Sequence, residues 1–159
     1  MNSSIRDLRG VLISVQGGRL LLPNATVAEV ITYSDPEPVA HAPQWLLGRV
    51  RWRGWALPLL SFSRLAGWAP ERGELGAKVT VLKLFGGNPR LPYFALLTQG
   101  FPRLVTVSDT ALVEHDDVAE LPLGALSRVM LNDDAAVVPD LASIEMMLAD
   151  ALQRSAQAA

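Results

Sequence analysis

The chain contains no cysteine, so disulfides, thiolate nucleophiles and cysteine-rich zinc sites are excluded together. Histidine is almost as scarce, with His41 and His115 the only two. His41 stands between alanines just ahead of Pro43 and reads as part of a connecting segment. His115 lies within Glu114-His115-Asp116-Asp117, and such a short acidic run makes a solvated loop more readily than a cage for an ion. Long apolar runs are missing as well. Trp55–Leu60 is one of the greasiest stretches and falls far short of the roughly 20 residues that span a bilayer. The opening residues mix charges of both signs without an apolar segment and do not read as a secretory signal. A cytoplasmic protein with no membrane insertion is expected.

Catalytic signatures are absent too. There is no G-x-x-x-x-G-K-[ST] or G-x-G-x-x-G loop to cradle phosphates, and no serine sits in a G-x-S-x-G elbow. Asp133 and Asp134 follow Asn132 between two strand-like runs, where short polar side chains serve a tight turn better than acid–base chemistry. No enzyme, cofactor or metal is expected. The 14 basic and 16 acidic residues leave a formal charge of −2, which gives no global pull toward a polyanion. Their distribution is uneven. Residues 49–64 carry Arg49, Arg51, Arg53 and Arg64 without an acid, whereas residues 109–120 carry Asp109, Glu114, Asp116, Asp117 and Glu120 without a lysine or arginine.

What the sequence does have is short apolar bursts broken by Gly, Pro, Asn and Asp. Val11–Val15 and Arg19–Leu22 flank Gly17-Gly18; Lys78–Leu84 and Tyr93–Leu97 flank Gly86-Gly87-Asn88-Pro89; Ser127–Leu131 and Ala135–Val138 flank Asn132–Asp134. Each reads as a β-hairpin, and three of them predict an all-β core, arranged most simply as two barrel lobes. Thr26-Val27-Ala28-Glu29 has the form of a capping box and predicts a short helix, as does Ser61–Gly67. Asp140 is placed to cap a longer helix whose Leu141, Ile144, Leu148 and Leu152 share one face, with a frayed tail after Gln153.

Between Gly48 and Gly54 the residues alternate, placing Arg49, Arg51 and Arg53 on one face of a strand and Val50 and Trp52 on the other. Three like charges on one face repel, and arginine pairs well with carboxylates, so an acidic partner surface competes evenly with a plain solvated strand. Trp52 is expected in the core by parity, and Trp55 and Trp68 are candidates for exposed anchors.

This segment resembles the signature of the CheW-like chemotaxis adaptor family, G-V-x-N-L-R-G followed by an apolar strand with proline and then D-L. Gly48 takes the leading glycine, Arg53-Gly54 the Arg-Gly pair and Pro58 the strand proline. Val27-Ala28-Glu29-Val30 is similar to the family's V-x-E-[IV], Ala95–Leu97 to its G-L-L-V-D strand, and Pro139-Asp140-Leu141 to its last strand and helix. The departures are Arg51 for asparagine, Trp52 for leucine, Ser61 for the aspartate of D-L, and Gln99 for the aspartate after the second-lobe strand. They fit a divergent paralogue, such as one serving a pilus-motility chemosensory system.

The resemblance implies two side-by-side five-stranded SH3-like barrels with short helices and a C-terminal helix, in one domain over residues 10–153 between flexible ends at 1–9 and 154–159. It implies a non-catalytic adaptor that couples the cytoplasmic tip of a chemoreceptor to the regulatory domain of a CheA-type histidine kinase. Val27, Glu29, Val30, Gly48, Arg53 and Gly54 would carry the partner contacts, with Arg49 and Arg51 beside them. Self-association through the basic strand and the acidic stretch is a further expectation. The alternative is a small barrel that binds nucleic acid through the Arg/Trp strand at 49–55, against which the net charge weighs.

Overall fold

The computed structural model describes residues 8–108, 112–114 and 121–158. Among them the order is β1 (Leu8–Val15), β2 (Gly18–Pro23), β3 (Val27–Thr32), β4 (Leu46–Trp52), β5 (Trp55–Leu60), α1 (Phe62–Leu65), β6 (Lys78–Lys83), β7 (Tyr93–Thr98), β8 (Arg103–Val107), β9 (Leu112–Glu114), β10 (Ala125–Leu131), β11 (Asp134–Pro139) and α2 (Leu141–Ala158). Two sheets result, a six-stranded one in the order β8-β1-β2-β11-β10-β9 and a five-stranded one in the order β3-β6-β7-β5-β4. The all-β, two-lobed expectation holds, with one lobe a strand larger.

All three predicted hairpins form, as β1–β2, β6–β7 and β10–β11. Their turns use the chemistry the sequence offers: Gly17 at φ 89° in the first and Asn132 at φ 54° in the third, both left-handed positions that glycine and asparagine occupy at low cost. The hairpins do not divide the lobes by halves of the chain. The first and third share the six-stranded sheet, joined by a parallel pairing of β2 with β11, and the second sits in the other.

Parity then sorts the side chains into three apolar groups. Leu12, Leu21, Val129, Leu131 and Ala136 fill the first lobe, while Val50, Trp52, Leu57, Leu59, Val79, Val81, Ala95 and Leu97 fill the second. The opposite faces meet each other. Val11, Ile13, Leu20 and Leu22 pack with Leu60, Phe62, Leu82 and Leu96, and Ile144 and Leu148 of α2 complete the cluster. Asp140 caps α2 as expected, accepting from the Ser143 backbone N–H at 3.2 Å and from its hydroxyl at 2.8 Å.

Three local expectations are corrected. Residues 27–30 form strand β3, not a helix: only a single 3-10 turn, Asn24–Thr26, precedes it. Val27, Val30, Ile31 and Thr32 are β-branched, and pairing with β6 outweighs the capping-box pattern. The tail after Gln153 does not fray, since α2 runs on to Ala158 and buries Ser155. Trp68 is not an exposed anchor. It lies half-buried, with its ring 5.4 Å from that of Phe62 and packed against Gly18, where any Cβ would stand 2.6 Å from the indole.

Leu148 is fully buried where both lobes meet α2, so Leu148→Ala should lower the unfolding free energy by about 2–5 kcal/mol, read by urea denaturation. Gln153→Ala, exposed on the same helix, should leave it nearly unchanged.

Candidate partner-binding site

Strands β4 and β5 pair from Leu46↔Leu60 to Trp52↔Trp55, leaving Arg53 and Gly54 as a two-residue turn with φ 47° and 82°. Positive φ at both central residues is the turn geometry that matches strand twist, and Gly54 supplies it without strain. Burial alternates along β4 as the sequence predicts: Val50 and Trp52 are buried, Arg49 is half-buried and Arg51 is exposed.

Arg53 leaves the predicted stripe. As a turn residue it swings over the barrel end, its guanidinium 5.1 Å from the centre of the Trp52 ring and 2.9 Å from the carboxylate of Glu29. The same carboxylate accepts a hydrogen bond from the Trp52 indole N–H at 3.1 Å. A bulge between Val27 and Glu29 places Glu29 opposite Val81 and Ile31 opposite Val79, on the face that fills the second barrel. Glu29 therefore closes the mouth of that barrel from one sheet edge while Arg53 and Trp52 close it from the other. The acid that residues 49–64 lack comes from β3. Tyr93 completes the end, its ring 4.9 Å from Trp52 and 6.3 Å from Trp55, both in edge-to-face geometry.

Gly48 has a structural reason to be glycine. The segment after β3 crosses to β4, where Glu37 and Arg49 exchange two backbone hydrogen bonds of 2.8 Å each. Gly48 sits at φ 145°, and a Cβ there would lie 2.4 Å from the Glu37 carbonyl oxygen. Val27 and Val30 lie half-buried on β3, at the opposite sheet edge from β4. The structure thus joins Glu29 with Arg53 and leaves Arg49 and Arg51 along the outside of β4. Trp55 and Ala56 are exposed beside them.

Of the acidic stretch, Glu114 is exposed at the end of β9, and His115, Asp116 and Asp117 lie outside the described residues, as does Asp109. Among the described residues no cluster of His, Asp and Glu could hold a metal ion, and no helix is long and apolar enough to cross a membrane. Two residues central to the structure carry no motif in the sequence. Tyr93, beside both tryptophans, opens β7 with no neighbour in sequence to mark an aromatic cluster, and Glu71 stands in the charged run Glu71-Arg72-Gly73-Glu74.

The site separates two kinds of contribution. Gly48→Ala forces the 37–49 crossing apart and should cost about 2 kcal/mol or more in urea denaturation. Arg53→Ala removes an exposed ion pair and should change stability by less than about 1 kcal/mol.

Comparison with known proteins places this architecture. The chain matches the model of the CheW-like domain over residues 9–146. Its structure resembles that of the scaffolding protein TtCheW from Thermoanaerobacter tengcongensis, with a TM-score of 0.70, 12% sequence identity, and 84% of each chain covered. No curated protein matches it in sequence. With nearly the whole described length inside the family model, the chain belongs to the CheW-like domain family.

Proposed function

We propose that the protein is a non-catalytic adaptor of a bacterial chemosensory pathway, coupling the cytoplasmic tip of a chemoreceptor to the regulatory domain of a CheA-type histidine kinase. The observation that carries this reading is the end of the second barrel, where Arg51 and Trp55 stand exposed beside the Glu29–Arg53 pair. An aromatic anchor flanked by guanidiniums suits an acidic protein surface, with apolar contact giving affinity and charge giving orientation.

A second face suits the receptor. Leu84, Phe85 and Gly86 of the second lobe and Leu141, Ala142, Glu145 and Met146 of α2 line a mostly apolar groove of about 380 Å3, with Phe85 and Met146 exposed at its lip. Such a groove fits the apolar face of a partner helix. The departures at Arg51 and Trp52 alter the kinase-facing end in charge and bulk, which favours a paralogue with its own cognate kinase, as in a pilus-motility system. Trp52 is buried, which leaves Trp55 as the one exposed ring of the strand pair, and together with the net charge of −2 this disfavours the nucleic-acid reading.

Arg51→Glu is the cleaner probe, since Arg53→Glu would set two carboxylates together at the barrel mouth. Wild-type protein should co-elute with the regulatory domain of the cognate CheA-type kinase and not be retained on immobilised polyanion at about 150 mM salt, near the physiological ionic strength at which phosphate contacts still hold non-specific binders. Arg51→Glu should weaken the kinase complex by about tenfold or more, the loss of one charge-assisted contact. Retention on polyanion without kinase binding would overturn the adaptor reading.

A further inference from the structure

Between α1 and β6 the chain runs as an irregular strap over residues 66–77, and Glu71 at its middle is fully buried. Among the described residues it is the one charged side chain so buried. One carboxylate oxygen accepts from the Ser61 hydroxyl at 2.7 Å. The other accepts from the Gln16 backbone N–H at 2.8 Å and from the Gln99 side-chain amide at 3.0 Å.

These donors come from both lobes. Gln16 belongs to the turn between β1 and β2, in the six-stranded sheet, whereas Ser61 and Gln99 follow β5 and β7 of the other. The backbone reinforces the junction: the Gln99 N–H donates to the Ser14 carbonyl at 2.8 Å, and the Ser63 hydroxyl donates to the Gln16 carbonyl. Arg64 holds the strap from outside, its Nε donating to the Glu71 carbonyl at 2.7 Å. On either side, Trp68 rests on Gly18, and Gly73 lies so close under Tyr33 that a Cβ would overlap its ring.

The two neutral side chains, Ser61 and Gln99, thus donate to one carboxylate. We propose that Glu71 is the pin that seats the first lobe on the second, and that its carboxylate is exchangeable with one at residue 61, whose side chain it already meets at 2.7 Å.

The geometry makes the exchange testable. An ionised carboxylate only accepts hydrogen bonds, so a second one at residue 61 would face Glu71 with no proton between them. With Glu71→Gln, the amide N–H2 turned toward residue 61 donates to the new aspartate, and the amide oxygen still accepts from Gln16 and Gln99. Asp at 61 would keep the cap that Ser61 gives to the Arg64 N–H, a bond of 3.2 Å here.

Thermal unfolding and amide hydrogen exchange on the full chain read the outcome. Ser61→Asp should lower Tm by roughly 5–10 °C, and speed exchange of the Gln16 and Gln99 amides at least about tenfold over amides within the β6–β7 hairpin. Ser61→Asp with Glu71→Gln should recover most of both losses. If Ser61→Asp yields no folded protein, recovery of folded protein in the double variant is the same result. Additive losses in the double variant, or equal acceleration throughout the molecule, would overturn the proposal. Neither readout needs a partner, so the proposal stands or falls separately from kinase binding.

Discussion

The apolar contact between the two lobes is what the remaining structure depends on. Each sheet turns one set of alternate residues into its own barrel and the other set toward its neighbour, so neither barrel is finished alone. Val11, Ile13, Leu20 and Leu22 are buried because Leu60, Phe62, Leu82 and Leu96 face them, and α2 seals the cluster through Ile144 and Leu148. At roughly 1.5–3 kcal/mol for each fully buried large aliphatic side chain, this shared face outweighs any single polar contact in the molecule. It also explains strands that read as continuous apolar runs: a strand buried on both faces has no polar side to show.

Polar contacts operate where the apolar ones end. The mouth of the second barrel is closed by Glu29 with Arg53 and Trp52, and at the first lobe Asp134 sits between Arg103 at 2.8 Å and Arg19 at 3.7 Å. Both clusters use a carboxylate from one strand against arginine from another strand or turn, and both are largely solvated. Their contribution lies in orientation more than in stability. Around the second-barrel cluster, the turn at Arg53-Gly54 and the Tyr93 ring hold the hairpin end in one shape.

How much of this was legible in the sequence follows from the range of each interaction. Hairpins and the alternation of β4 are written in neighbouring residues, and Gly17, Gly54 and Asn132 stand where left-handed turns require them. The C-terminal helix was legible from Asp140 and the spacing of Ile144 and Leu148. The signal failed where partners lie far apart in the chain. Val27–Val30 carried a local helix pattern that pairing with β6 overrode, and Arg53 looked like the third residue of a stripe until the turn delivered it to Glu29. Glu71 was invisible for the same reason. Its hydrogen-bond partners lie 10, 28 and 55 residues away, and nothing beside it in sequence marks it as buried.

The strand order has a consequence for how the molecule is made. Every strand of the second barrel lies between residues 27 and 98, one uninterrupted stretch, whereas the first barrel takes β1 and β2 from before it and the rest from after. During synthesis the opening hairpin emerges with its sheet neighbours β8 and β11 still unmade. It must wait for the whole intervening stretch to be made, and non-local strand pairing then closes a long loop before it gains any contact. The first barrel can be completed only when the last third of the chain folds back onto strands that were made first.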